Sequence, residues 1–339
     1  MISKNILITG ASGYVGAALT DKIIANKDMR LVNYDISIFG DNHLPKKENY
    51  IYMRKDLRDK NSFEKAIKEN DIDTVLHLAC ISNDPTFELK SDISKIINYD
   101  CFEDLVSISK KNNVRKFIYA STCSVYGVSD SPNVTESHPL VPMTDYNKYK
   151  AMCEPILKKY LDDTFHGVII RPATVCGYSQ KMRFDLTVNI LTNFAYNKGF
   201  IKVFGGEQTR PNIHIDDMCN LYIKLFSLDF KYISGEIFNA GLENLRIIDI
   251  AKKIQNIMKS KYNKDIEIKV EKSSDKRSYQ INSDKIQKIL KFKFEKNVDD
   301  AIHDLLSNFE NGNLKDTFDP KWQNIQVLKN NIDLYNYSK

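Results

Sequence analysis

Residues 6–16 read Ile6-Leu7-Ile8-Thr9-Gly10-Ala11-Ser12-Gly13-Tyr14-Val15-Gly16. An apolar run, a glycine cluster and the start of a helix-periodic segment follow one another, which is the order strand, turn, helix. That order suits the binding of a pyrophosphate. The anion must approach backbone N–H groups at a helix N-terminus, where the partial positive charge favours it and a Cβ would obstruct it. The chain has 13 glycines in 339 residues, so Gly10, Gly13 and Gly16 within one turn are a local concentration. Their spacing is G-x-x-G-x-x-G rather than the more general G-x-G-x-x-G. Asp35 closes the next apolar strand, where a carboxylate accepts from adenine ribose hydroxyls and repels a 2′-phosphate. Together these features predict a dinucleotide site that takes NAD rather than NADP.

Outward from this turn, short apolar runs alternate with helix-period segments. Strands are expected at 4–9, 30–34, 50–53, 74–79, 116–120 and 167–170, and helices at 15–25, 62–68, 93–110 and 147–161. Continuously apolar strands separated by helices imply a parallel sheet covered on both faces, hence an α/β, doubly wound parallel Rossmann sheet. After Arg171 the rhythm becomes irregular, as expected for a smaller C-terminal α/β substrate lobe. The expected division is 1–172, with a return near 211–232, for the NAD-binding domain, and 173–210 with 233–312 for the second lobe. No role is assigned to 313–339, which is rich in Asn, Lys and Asp.

Composition excludes several classes. The chain is 42% hydrophobic and 27% charged, with a net charge of +5 from dispersed basic residues, so neither disorder nor a nucleic-acid footprint is expected. No apolar run approaches the roughly 18 residues of a membrane span, and the first apolar stretch is too short for a signal peptide. A cytoplasmic protein with no membrane partner is expected. Cys80, Cys101, Cys123, Cys153, Cys176 and Cys219 are spaced by more than about 20 residues, and the six histidines form no HExxH pattern. No metal site is expected.

Tyr146 and Lys150 stand four apart at the start of a helix and share one face. A second such pair, Tyr335 and Lys339, shows that spacing alone decides little. Tyr146, however, follows the hydroxyl-rich strand end Ser121-Thr122-Cys123-Ser124. A tyrosine base at neutral pH must lose about three units from its reference pKa near 10, roughly 4 kcal/mol. A lysine about 6 Å away at an effective dielectric of about 20 supplies roughly 3 kcal/mol, and an oxidised nicotinamide would add to it.

Thr9–Gly16, Asp56-Leu57-Arg58-Asp59, His77-Leu78-Ala79, the run Ser121–Gly127, Tyr146-x-x-x-Lys150 and Arg210-Pro211-Asn212-Ile213-His214-Ile215-Asp216-Asp217 together resemble the extended short-chain dehydrogenase/reductase family, in its nucleotide-sugar epimerase/dehydratase branch. The resemblance runs from residue 2 to about residue 306. It implies that Tyr146 is the general base for a sugar hydroxyl at C4, that Lys150 lowers its pKa and holds the nicotinamide ribose, and that Thr122 hydrogen-bonds the reacting oxygen. It also implies a cofactor shell of Gly10, Gly13, Tyr14, Val15, Gly16 and Asp35, with Asp56, Leu57, Leu78, Ala79, Cys80, Asn98, Tyr146, Lys150 and Ala173.

For the substrate, the resemblance points to Ser82, Thr122, Thr174, Arg183, Asp185, Arg210 and Arg277. Arg210 and Arg277 match diphosphate-binding positions, where guanidinium forks suit phosphates. Thr174 and Asp185 replace the Asn of many relatives. Family 4,6-dehydratases carry an acid pair after the catalytic Thr, because loss of water across C5 and C6 needs a second acid and base; here those positions are Cys123 and Ser124. The expected activity is therefore an NAD-dependent oxidoreductase acting at C4 of a nucleotide-activated sugar, foremost a 4-epimerase. The alternatives are a net 4-dehydrogenase, for example of a GDP-heptose in polysaccharide biosynthesis, then a 4,6-dehydratase, and in another class a non-catalytic dinucleotide-sensing protein. A homodimer through 93–110 and 147–161 is expected from the resemblance.

Overall fold

The computed structural model describes residues 3–82, 84–273 and 277–331. The first half contains β1 (Asn5–Thr9), α1 (Tyr14–Ile24), β2 (Arg30–Asp35), β3 (Tyr50–Arg54), α2 (Lys60–Glu69) and β4 (Thr74–His77). Then come the short helices α3 (Asp84–Phe87) and α4 (Ser91–Lys95), α5 (Phe102–Lys111), β5 (Lys116–Ala120), α6 (Asp145–Tyr160) and β6 (His166–Pro172). Ile6, Leu7, Ile8, Phe117, Ile118, Val168 and Ile170 are all inaccessible to solvent, which is why these strands read as unbroken apolar runs.

The second half contains β7 (Thr174–Cys176), α7 (Thr187–Lys198), β8 (Phe200–Phe204), β9 (Thr209–His214), α8 (Ile215–Ser227), β10 (Ile237–Ala240), β11 (Glu243–Arg246) and α9 (Ile247–Tyr262). β12 (Glu267–Glu271), α10 (Asp284–Leu290), α11 (Val298–Glu310) and α12 (Asn324–Asn330) complete the order. The main sheet has seven parallel strands in the order β10-β6-β5-β4-β1-β2-β3. The direction of strand succession reverses between β1 and β4, and ligands of such sheets bind at the strand C-termini beside that reversal. Gly10, at the end of β1, sits there. Two small sheets, β11-β9-β7 and β12-β8, build the second lobe.

Two expectations are corrected. Residues 237–240, within the range 233–312 expected in the second lobe, form β10, which pairs with β6 at the edge of the main sheet. Its four residues carry no periodicity by which to place them. The helix expected across 93–110 is broken by a π-helical stretch, Ile96–Asp100, between α4 and α5. Within it Asn98 donates its amide to the carbonyl of Ile81 at 2.9 Å and accepts from the Ile81 N–H at 2.8 Å. A widened turn thus serves a tertiary contact.

Candidate active site

The glycine turn is built for close approach. Gly10 has φ +78°, and a Cβ there would lie 2.7 Å from both Cα and N of Ala79. At Gly16 a Cβ would meet Cα of Ala11 at 2.5 Å. Gly13 is the N-cap of α1 and makes no side-chain cap, so the first N–H groups of that helix face the cleft. Asp35 ends β2 and accepts from the N–H of Ser12 at 2.9 Å and of Ser37 at 2.7 Å. Burial raises its pKa, and these two backbone donors oppose the rise. Asp56 is held by Arg58, which donates from Nε at 3.0 Å and from Nη2 at 2.7 Å. The cradle, the strand-end carboxylate and the Tyr146–Lys150 face fit NAD.

Thr122 caps the single turn Cys123–Tyr126 beyond β5 and shares a hydrogen bond of 2.9 Å with the hydroxyl of Ser124. Ser124 in turn donates to Oδ1 of Asn147. Gly127, at φ +71°, ends the turn, and a Cβ there would run into the carbonyl of Val141. α6 carries Tyr146 and Lys150 toward this turn. The ammonium of Lys150 donates to the carbonyl of Ala120 at 2.7 Å and lies 5.1 Å from the Tyr119 ring centroid. Its charge adds to burial in pulling His77 down to about 3. For Tyr146, burial pushes the phenol well above its ordinary value, and Cys80 adds to the rise. The Arg183 guanidinium opposes this rise.

A buried network fixes α6 against the strand ends. Arg171 on β6 pairs with Glu154 on α6 through Nε–Oε1 at 2.9 Å and Nη2–Oε2 at 2.6 Å. Ser121 donates to the same Glu154 Oε1 at 2.7 Å, and Arg171 Nη1 donates to the Tyr126 hydroxyl at 2.7 Å. The residue before Thr122 and the helix bearing Tyr146 are thereby tied to one ion pair.

Elsewhere in the cleft, Arg183 and Asp185 form a two-pronged pair at 3.1 and 2.6 Å. Arg277 reaches across the cleft to Asp84 of α3, which also accepts from Thr144 at 2.5 Å. Arg210 donates to the carbonyls of Thr209, at 3.1 Å, and Arg277. One cleft is lined by Gly10, Gly13, Tyr14, Val15, Gly16, Asp35, Asp56, Leu57, Leu78, Ala79, Cys80 and Ala173, and by Thr122, Tyr146 and Lys150. Ser82, Thr174, Arg183, Asp185, Arg210 and Arg277 line it too. Asn98 stands apart: it does not line the cleft, because its amide is spent on Ile81, so its role is to position that loop. Tyr335 and Lys339, and the Asp275-Lys276 pair beside Arg277, lie outside the described residues.

A family model described as the NAD-dependent epimerase/dehydratase family matches residues 6–241. The chain belongs to this family. A putative UDP-glucose 4-epimerase from Methanocaldococcus jannaschii is 28% identical over 70% of this chain and 76% of its own. The dTDP-D-glucose 4,6-dehydratase of Homo sapiens is 24% identical over 76% and 75%. Among solved structures, a UDP-glucuronic acid 4-epimerase from Bacillus cereus, in complex with UDP-glucuronic acid and NAD, superposes with a TM-score of 0.80 at 24% identity, covering 91% of this chain and 99% of its own. As a member of this family the chain is an enzyme, and NAD is its cofactor.

Several cleft residues of this epimerase/dehydratase chain are not legible in the sequence. Asp84 is recognisable only once Arg277 is seen opposite it. Lys181 and Asn324 also line the cleft, and Asn324 belongs to the terminal segment to which the sequence assigns no role. His214, Asp216 and Asp304 converge closely enough to suggest a metal site. Lys296 lies 2.7 Å from Asp216 and 3.5 Å from Asp304, and Lys22 lies 3.1 Å from Asp216, so ammonium groups already balance the carboxylates. No helix among the described residues is long and apolar enough to cross a membrane.

Proposed function

We propose that the chain is an NAD-dependent oxidoreductase acting at C4 of a nucleotide-activated sugar, and that it is a 4-epimerase. The observation that carries this reading is the convergence of Thr122, Tyr146 and Lys150 in the cleft of the glycine cradle, with no acid in the turn after Thr122. Cys123 is inaccessible, its thiol hydrogen-bonded to the carbonyl of Arg171 at 2.9 Å, and burial pushes that thiol far up. Ser124 presents a hydroxyl. The substrate-side carboxylates Asp84 and Asp185 are both paired with arginines. Loss of water across C5 and C6 therefore lacks its second acid and base, whereas oxidation and reduction at C4 need only the three residues.

In this reading Tyr146 accepts the proton of the C4 hydroxyl, Thr122 donates a hydrogen bond to that oxygen, and Lys150 supplies positive charge beside the strand end. NAD, held by the Gly10–Gly16 cradle and Asp35, would supply the hydride acceptor and donor for C4. Arg210 and Arg277 hold the diphosphate while the 4-keto sugar turns. The Arg183 guanidinium also favours the Tyr146 phenolate. The 4-epimerases among the relatives support this reading, and the 4,6-dehydratases beside them make the reaction type the point to test. Self-association is proposed through the faces of α5 and α6, near the exposed Ile96 and Met152.

The deciding experiment incubates the protein with UDP-, GDP-, dTDP- and CDP-sugars and follows product mass and absorbance at the NADH band. A new stereoisomer of unchanged mass supports the epimerase. Loss of two hydrogens with NADH accumulating establishes the net 4-dehydrogenase, and loss of water overturns the reading of Cys123 and Ser124.

A further inference from the structure

Among the described residues three lysines are more than nine-tenths buried: Lys116, Lys150 and Lys181. A buried ammonium needs compensation, since desolvation of an unpaired charge is costly. Lys116 finds three oxygens, the Ser3 hydroxyl at 3.3 Å and the carbonyls of Phe226 at 3.0 Å and Leu228 at 2.7 Å. Lys150 belongs to the catalytic face. Lys181 has one oxygen among the described residues, the carbonyl of Lys321 at 3.2 Å, and the rings of Phe39 and Trp322 at 5.4 and 5.8 Å. An ammonium carries three donors, so two are left over. No described carboxylate pairs with it, and the neighbouring Asp185 is committed to Arg183. Burial, with the neighbouring Arg183 guanidinium adding to it and Asp185 opposing, pulls its pKa down to about 8.

This lysine is placed where an anion would complete it. The segment carrying it lies on the first turn of α1: Ser179 donates to the carbonyl of Tyr14 at 2.7 Å, and the Tyr14 hydroxyl donates to the carbonyl of Gly177 at 2.7 Å. The C-terminal segment holds the other side. The N–H of Phe184 donates to the carbonyl of Trp322 at 3.3 Å, and Leu328 is fully buried beside Ile81, Ile38 and Phe39. Residues 313–331 thus brace both the second lobe and the cofactor domain around Lys181.

We infer that Lys181 is a diphosphate-binding cation of the cleft, held in position by the C-terminal segment 313–331. The inference rests on the proposed nucleotide-binding function. Two diphosphates could meet it, the pyrophosphate of NAD and the diphosphate of the nucleotide sugar, and binding measurements separate them. In the full chain, Lys181→Met keeps the aliphatic stem and removes the charge. Loss of a charge-assisted hydrogen bond predicts affinity weakened about tenfold to a hundredfold, with Lys181→Arg retaining most of it.

NAD is measured by equilibrium dialysis after the resident cofactor is stripped, and UDP by calorimetry on the NAD-loaded protein. A loss for NAD alone assigns the cofactor pyrophosphate; a loss for UDP alone assigns the substrate. Unchanged affinity for both in a folded Lys181→Met variant overturns the inference and leaves the epimerase reading standing. If the wild-type chain binds no nucleoside diphosphate, the functional reading itself fails. Thermal unfolding without ligand separates a binding role from a scaffolding one: Lys181→Met should melt no lower than wild type, and a lowered midpoint with unchanged affinities marks a structural lysine.

Discussion

The ion pair between Glu154 and Arg171 ties catalytic geometry to stability, and removing one partner tests both. The closest approach is 2.6 Å, with side-chain exposures of 4% and 3%. At that distance and an effective dielectric of about 20, the attraction is roughly 6 kcal/mol, and desolvation of the two ions costs a comparable several kcal/mol. The intact pair is therefore near neutral for folding, whereas Glu154→Gln leaves a guanidinium buried against an uncharged amide. The carbonyl of Glu136, at 3.2 Å, and the Tyr126 hydroxyl still serve Nη1, so the loss should fall at the lower end of the usual range for a broken buried pair, about 3 kcal/mol.

The double variant Glu154→Leu/Arg171→Met removes both charges and should recover most of that stability. It should not recover turnover, because Ser121 loses its acceptor and Thr122 the anchor of the preceding residue. Urea unfolding of the four members of the cycle, with kcat measured on each, reads the two effects separately. If Glu154→Gln unfolds within about 0.5 kcal/mol of wild type, the account of this pair is refuted.

Tyr146→Phe should abolish turnover while leaving NAD affinity within about twofold, as measured by dialysis; substantial turnover would remove Tyr146 from the role of base. Gly10→Ala must place a methyl 2.7 Å from the backbone of Ala79 at φ +78°, so cofactor binding should fall below detection even where circular dichroism shows a folded chain. Asp35→Ser should narrow the preference for NAD over NADP by about tenfold or more, and an unchanged ratio would place the adenine ribose elsewhere. For pH, the pKa of Lys181 is about 8 in the folded chain against about 10.4 unfolded. Between those values the unfolded chain binds more protons at this position, so the contribution of Lys181 to stability rises with pH. The stability advantage of Lys181→Met over wild type should be fully present below pH 8 and shrink toward pH 10, as followed by urea unfolding across that range.

What the sequence discloses is what lies close together along it. Gly10, Gly13 and Gly16 are one turn, Tyr146 and Lys150 one helical face, and the buried strands of the main sheet unbroken apolar runs. Each is specified by local sterics or by burial on both faces, which composition records. β9 and β11 are specified otherwise. Thr209–His214 contains Arg210, Pro211 and Asn212, and Glu243–Arg246 is largely polar; they are strands because Leu245 faces Arg210 and Glu243 faces Asn212 across an antiparallel ladder. No periodicity announces such pairing. The pairing of Arg277 with Asp84 and the reach of Asn324 into the cleft are likewise products of tertiary closure.

The same distinction bears on the assignment of the acid–base chemistry. Tyr-x-x-x-Lys spacing places a lysine on the helical face of the tyrosine, so that spacing alone would assign the tuning of the phenol to Lys150. In the folded chain Arg183, thirty-seven positions beyond Tyr146, also opposes the burial of the phenol. Arg183 is itself held by Asp185, so the charge acting on Tyr146 depends on that pair staying formed when a sugar enters. A substrate hydroxyl that drew Asp185 away would leave the guanidinium freer to favour the phenolate. Asp185→Asn should for this reason alter the pH at which turnover reaches half its maximum, whereas a loss of activity with an unshifted profile would assign Asp185 to sugar binding alone.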